Sequence, residues 1–166
     1  MALVRVNHDS CLKALKAAQK HFQCSSAPVR LKKLARTITP IVFITHTKQK
    51  DEWLASAFGM SVRVRDKYRT KLQLKESEYP STDIGGRRYY LLIEVFPKAF
   101  SKLQIVSWRY LKRVMAHEIA HLLHSCTEKQ GGNFTVSNPV TDHDAQWQKI
   151  SRWYGGNDSP FIGYCL

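Results

Sequence analysis

Several features are missing from this chain of 166 residues, and each absence narrows its class. No run of 18 apolar residues occurs, which excludes a membrane-spanning helix of the usual length. The N-terminus, MALVRVNHDS, has no continuous apolar stretch followed by small residues, so no secretory leader is expected. Cys11, Cys24, Cys126 and Cys165 never form a C-x-x-C pair, which argues against a zinc ribbon or finger. With no mark of export they read as free thiols in a reducing compartment, and Cys126 as a core residue. Neither internal repeat nor low-complexity tract is present. A single domain spanning 1–166, intracellular and not secreted, is the expectation.

Acidic residues are scarce, chiefly in the first half. Residues 1–75 hold 16 Lys/Arg against 4 Asp/Glu, while residues 76–166 hold 10 against 9. Almost all of the net charge of +13 therefore lies in the first half. Such asymmetry points to a polyanion-facing surface, with nucleic acid the commonest candidate. Within 61–76, Arg63, Arg65, Arg69 and Lys71 alternate with apolar residues. They are the candidate nucleic-acid contacts on two half-exposed strands. Lysines and arginines at strand edges also serve simply to block aggregation. Lys13, Lys16 and Lys20 form a second basic stripe on an expected helix, and a solvated face explains them equally well.

Along the chain, 1–8 reads as an extended lead, and Asp9 or Ser10 as the cap of a helix to residue 23. Residues 29–37 read as a second helix and 41–44 as a strand. Thr47 is expected to cap a helix to Phe58, stopped by Gly59. Residues 79–87 look like a loop. Residues 88–96 (RYYLLIEVF) form the strongest strand, ended by Pro97, whose edge an extended substrate could pair with. A helix over 103–126, a loop over 128–140 and a helix over 142–154 complete the reading, with Gly155 and Gly156 ending the last.

The chemistry concentrates in VMAHEIAHLLHSC, residues 114–126. His117, Glu118 and His121 form H-E-x-x-H. On a helix the two histidines lie one turn apart on one face, and both can reach a zinc ion at about 2.0–2.1 Å. Glu118, about 100° round the helix from His117, can stand beside the metal and take a proton from a zinc-bound water. With 7 His and 6 Glu in the chain, chance would produce this triplet in about one such sequence in a hundred, and the apolar helical setting makes accident rarer still.

A catalytic zinc needs a third protein ligand and an open position. His143, at the start of the next helix, is the best placed. His124 falls near the same face as His117 but about 4.5 Å beyond His121 along the axis. Asp142, Asp144 and Glu128 are acidic alternatives, and Asp142 or Asp144 can instead orient an imidazole or cap the last helix. The long pattern H-E-x-x-H-x-x-G-x-x-H is excluded, because His124 stands in place of its Gly and Thr127 in place of its last His. A downstream glutamate ligand is excluded too, since none follows Glu128. Tyr154, Tyr164 and His124 are the candidates for stabilising an oxyanion.

The run AHEIAHLLH, a Gly-bearing loop and DHDAQWQKI together resemble the SprT-like (Spartan) metallopeptidase family over about residues 105–154. The features carrying the likeness are His117, Glu118, His121, His143 and Trp147. The chain departs from the family pattern in having Asp144 where Gly often follows the third His and in its long intervening loop, and the sequence ends without the C-terminal zinc ribbon that bacterial members often carry. The resemblance implies a zinc endopeptidase directed at proteins on, or crosslinked to, DNA. It also implies an α+β, zincin-like fold: N-terminal helices, a small antiparallel sheet, the H-E-x-x-H helix and a second ligand-bearing helix. Two other functions fit the residues: a zinc peptidase that processes one protein without nucleic acid, and a basic nucleic-acid-binding protein with a structural zinc.

Overall fold

The computed structural model describes residues 2–46, 54–61, 79–128 and 143–157. Arg63, Arg65, Arg69, Lys71, Thr47, Asp142, Tyr164 and Cys165 lie outside them, so the readings made on those residues concern parts of the chain not described. The architecture is mixed α+β. In chain order it runs β1 (Leu3–Arg5), α1 (His8–Cys24), α2 (Val29–Thr37), β2 (Ile41–Ile44), β3 (Ala55–Ser61), β4 (Thr82–Ile84), β5 (Arg87–Val95), α3 (Pro97–Phe100), β6 (Ile105–Ser107), α4 (Trp108–Glu128) and α5 (Ala145–Trp153).

α1 forms because Cys11, Ala14, Leu15, Ala18 and Phe22 recur at helical spacing and are buried. Its cap is Asn7, not Asp9 or Ser10. Asn7 Oδ1 accepts from the Ser10 amide at 2.9 Å while Ser10 Oγ accepts from the Asn7 amide at 3.1 Å, a reciprocal capping box. Lys13, Lys16 and Lys20 stand on the exposed face of this helix.

β5 is the centre of the main sheet. β3 pairs antiparallel along one side, from Ala55 against Val95 to Ser61 against Tyr89. On the other side β2 runs parallel to residues 92–95, and β4 runs antiparallel to residues 87–89. The sheet is therefore mixed rather than antiparallel. β5 cannot offer an edge to a substrate, because both edges are paired. Its unbroken apolar run is the pattern of a strand buried on both faces. Tyr89, Leu91, Ile93 and Val95 face the helices, while Tyr90 and Leu92 join a smaller cluster with Ile41 and Met60 on the opposite face.

Residues 55–58, expected in a helix, belong to β3 instead. Seven residues of ladder against β5 override a sequence with no strong preference for either state. Ala55 and Ala57 pack into the core on the helix side, and such small residues let α4 lie close against the strand. Gly59 is a buried strand residue, not a helix stop. The expected loop over 79–87 contains β4, which turns into β5 through Gly85 (φ 61°) and Gly86 (φ 77°). Positive φ at both central residues is the two-residue hairpin turn that matches strand twist. Pro97 ends β5 as expected and also opens α3. The expected helix over 103–126 starts only at Trp108, because Ile105–Ser107 forms a small antiparallel ribbon with β1.

α4 is the central helix, packed between α1, β3 and α5. Every residue from Val114 to Cys126 is buried, so this stretch is enclosed all round. No helix among the described residues is long and apolar enough to cross a membrane. Cys11 and Cys126 are free and buried, and Cys24 is free and exposed. Burial pushes the Cys126 thiol up to about 12, in keeping with a core role.

Candidate metal centre

The middle of α4 carries His117, Glu118 and His121 into the core, at 5%, 5% and 8% exposure. Three ionisable groups so deep would be costly without a partner for their polar atoms. The Nε2 atoms of His117 and His121 are 3.0 Å apart. From the N-terminal approach to α5, His143 brings its own Nε2 to 3.3 Å from that of His117. Ligand atoms of all three lie within 4.8 Å of one another. Nitrogens held about 2.05 Å from one tetrahedral ion would stand about 3.3 Å apart. A single N–H···N bond could account for one short contact. It does not account for His117 Nε2 facing two other imidazole nitrogens at once. The three histidines are close enough to hold one metal ion.

Their protonation fits that use. Burial first, and the neighbouring His143 second, hold His117 down to about 3. Burial, then His117, His143 and His124, hold His121 down to about 2. Both are neutral at pH 7, with a ring lone pair available for coordination. Among the described residues no hydrogen-bond partner meets Nδ1 of either ring. Glu118 is pushed the other way, up to about 8, by desolvation alone. A bound divalent cation would favour its ionised form.

Trp147 forms one wall. It is fully buried on α5, and its ring centroid lies 4.8 Å from that of His117, 5.0 Å from His121 and 4.3 Å from His143. It stacks on His121, with 27° between the planes, and meets the other two edge to face. One indole thus restrains all three imidazoles.

His124 is not part of the cluster. It is wholly buried, and its Nε2 lies 3.2 Å from Asp144 Oδ1. Asp144 is not a cluster member either. Its Oδ1 accepts from the Trp147 amide at 2.7 Å and caps α5. That amide first, and the neighbouring His124 ring after it, hold the Asp144 carboxyl below the usual carboxylate range. Tyr154 is also withdrawn: its ring stacks on Phe22 of α1 at 4.2 Å, and burial raises its hydroxyl far above the ordinary range. The oxyanion role considered for it has no support from this placement.

Two contacts were not legible from residue types alone. Gln148 Nε2 donates to the His143 carbonyl at 3.1 Å, and Gln146 Nε2 donates to Thr127 Oγ1 at 3.2 Å. The second ties the start of α5 to the end of α4. The positions of both glutamines early in a helix that follows a candidate ligand were the only available signal.

Comparisons of the chain with protein-family models, curated proteins and solved structures returned no match.

Proposed function

We propose that the protein is a zinc-dependent endopeptidase acting on DNA-associated or DNA-crosslinked proteins. The observation that carries the reading is the convergence of three imidazole nitrogens, two of them on the buried, neutral rings of His117 and His121 and the third on half-buried His143, beside a buried carboxyl group, Glu118. An all-nitrogen set of three suits zinc and leaves one coordination position open. Zinc bound there would supply Lewis-acid polarisation of a water molecule and of the scissile carbonyl. Glu118 would take the proton from the attacking water and hand it to the leaving amine. A purely structural site has no use for that carboxylate. The similarity of residues 105–154 to SprT-like peptidases supports the same chemistry.

The substrate strand has a natural place. β3 lies against α4 and pairs on one side with β5, its sole ladder partner among the described residues. Its other edge has no ladder partner among the described residues, and the strand packs on the helix that bears His117 and His121. An extended peptide added there would gain backbone hydrogen bonds near the site. Support for the nucleic-acid part comes from the charge asymmetry and from Lys13, Lys16 and Lys20, all exposed on α1.

The test is cleavage of a DNA-binding protein by zinc-loaded enzyme, with and without DNA, over a salt series. The expected result is zinc-dependent cleavage that DNA stimulates, that weakens as salt rises and that Glu118→Gln cuts by orders of magnitude. Cleavage indifferent to DNA would leave a peptidase without a nucleic-acid role. DNA binding with no cleavage under any condition would favour a basic binding protein with a structural metal.

A further inference from the structure

From the contact between His124 and Asp144 we infer that these two are positioning residues that set the third histidine, His143, against the other two. The inference rests on the metal-site reading and extends it to residues that touch no metal. His117 and His121 need little help, because one helix fixes their spacing. His143 has no such help. It comes from a separate element, 22 positions after His121 in the sequence, and precedes α5 rather than lying within it.

What places it is the residue beside it. A single oxygen, Asp144 Oδ1, faces two groups: the Trp147 amide at 2.7 Å and His124 Nε2 at 3.2 Å. The first contact starts α5 at a defined residue. The second fastens that start to α4 one turn beyond His121. His124 has no exposure, so its imidazole cannot swing away from the contact into solvent. Asp144 is exposed, with 46% of its side chain accessible, and could turn outward. A buried imidazole and a helix cap thus share one carboxylate, and His143 is the residue immediately before it. Partners outside the ligand set commonly change metal affinity by roughly 10–100-fold.

The experiment measures zinc dissociation constants by competition with a chromophoric chelator, and the visible spectrum of the Co2+-substituted protein. Wild type is compared with Asp144→Ser, His124→Phe and the double variant. Serine keeps the helix cap but is too short to reach His124. Urea midpoints of the metal-free proteins identify the folded fraction on which affinity is read. The expected result is roughly tenfold or greater loss of zinc affinity in each single variant. The Co2+ spectrum should change, and the double variant should lose no more than either single one, because both act through one contact. Should His124→Phe fail to fold, Asp144→Ser alone decides the matter. Unchanged affinity and spectrum in Asp144→Ser, with wild type binding one zinc, would overturn the positioning role and leave the metal site standing. Wild type that binds no zinc would overturn the metal reading, and this inference with it.

Discussion

His117 Nε2 lies 3.0 Å from His121 Nε2, although both rings sit in a fully enclosed stretch of α4. Two buried imidazoles facing each other this closely cannot both carry protons on the facing atoms. The folded chain holds His117 to about 3 and His121 to about 2, against about 6.5 for an ordinary histidine. Below about pH 6.5 the unfolded chain therefore takes up protons that the folded chain refuses. The metal-free protein should lose stability progressively as pH falls from about 6.5 towards 3. Zinc should be retained through that range for as long as the chain stays folded and be lost towards pH 3, where protons reach the ligand nitrogens or the chain unfolds. Urea titrations of metal-free protein at a series of pH values, with zinc retention measured alongside, check both.

Glu118 produces the opposite slope. Burial holds it up at about 8, against 4.5 for an ordinary glutamate. Between those values the folded chain keeps a proton that the unfolded chain has released. Its contribution is present below about pH 4.5 and is lost as pH rises towards 8. In the metal-free state Glu118→Gln should therefore be more stable than wild type at pH 8, by on the order of 1 kcal/mol or more. The advantage should vanish near pH 4. In the zinc-loaded state the same substitution should retain the metal and cut peptide hydrolysis by about 10²–10⁴-fold, the usual worth of a general base.

Trp147 should be needed for both fold and site. Its side chain is fully buried against all three imidazoles. Trp147→Ala should destabilise the protein by about 3–5 kcal/mol through the cavity it leaves, and zinc affinity should fall with it. Trp147→Phe should recover much of both losses. Denaturant unfolding and zinc competition on the two variants give the comparison.

Gly155 closes α5 with φ of +82°, and its amide donates to the Arg152 carbonyl at 2.9 Å. A β-carbon there would stand 3.3 Å from Cδ2 of the His21 ring. Gly155→Ala should cost about 1–2 kcal/mol from the left-handed backbone alone. The tight approach to α1 adds to that. A lowered thermal midpoint with unchanged zinc stoichiometry is the expected outcome.

The positions of His117, Glu118 and His121 were legible in the sequence because one apolar helix contains them, and helical spacing alone brings the two histidines to one face. His143 was legible by its place at the start of the next helix. The partnership of His124 with Asp144 was not, because it depends on how α5 docks on α4, and no local spacing encodes that. The same reason accounts for β3. Ala55–Ser61 has little preference of its own and becomes a strand through pairing with β5, whose paired residues lie about 28–40 positions further along the chain. β4 is too short to stand out as a strand in the sequence, although Gly85-Gly86 between two short runs is a readable hairpin signal. β6 looked like the first turn of α4 because its pairing partner, β1, lies at the far end of the sequence.

In the proposed site His117, His121 and His143 share one zinc ion. Elemental analysis of purified wild type and of His143→Ala tests it most directly. One zinc per chain in wild type and a sharp fall in the variant are the expected result. Zinc fully retained by His143→Ala, or absent from wild type even after reconstitution, would contradict it.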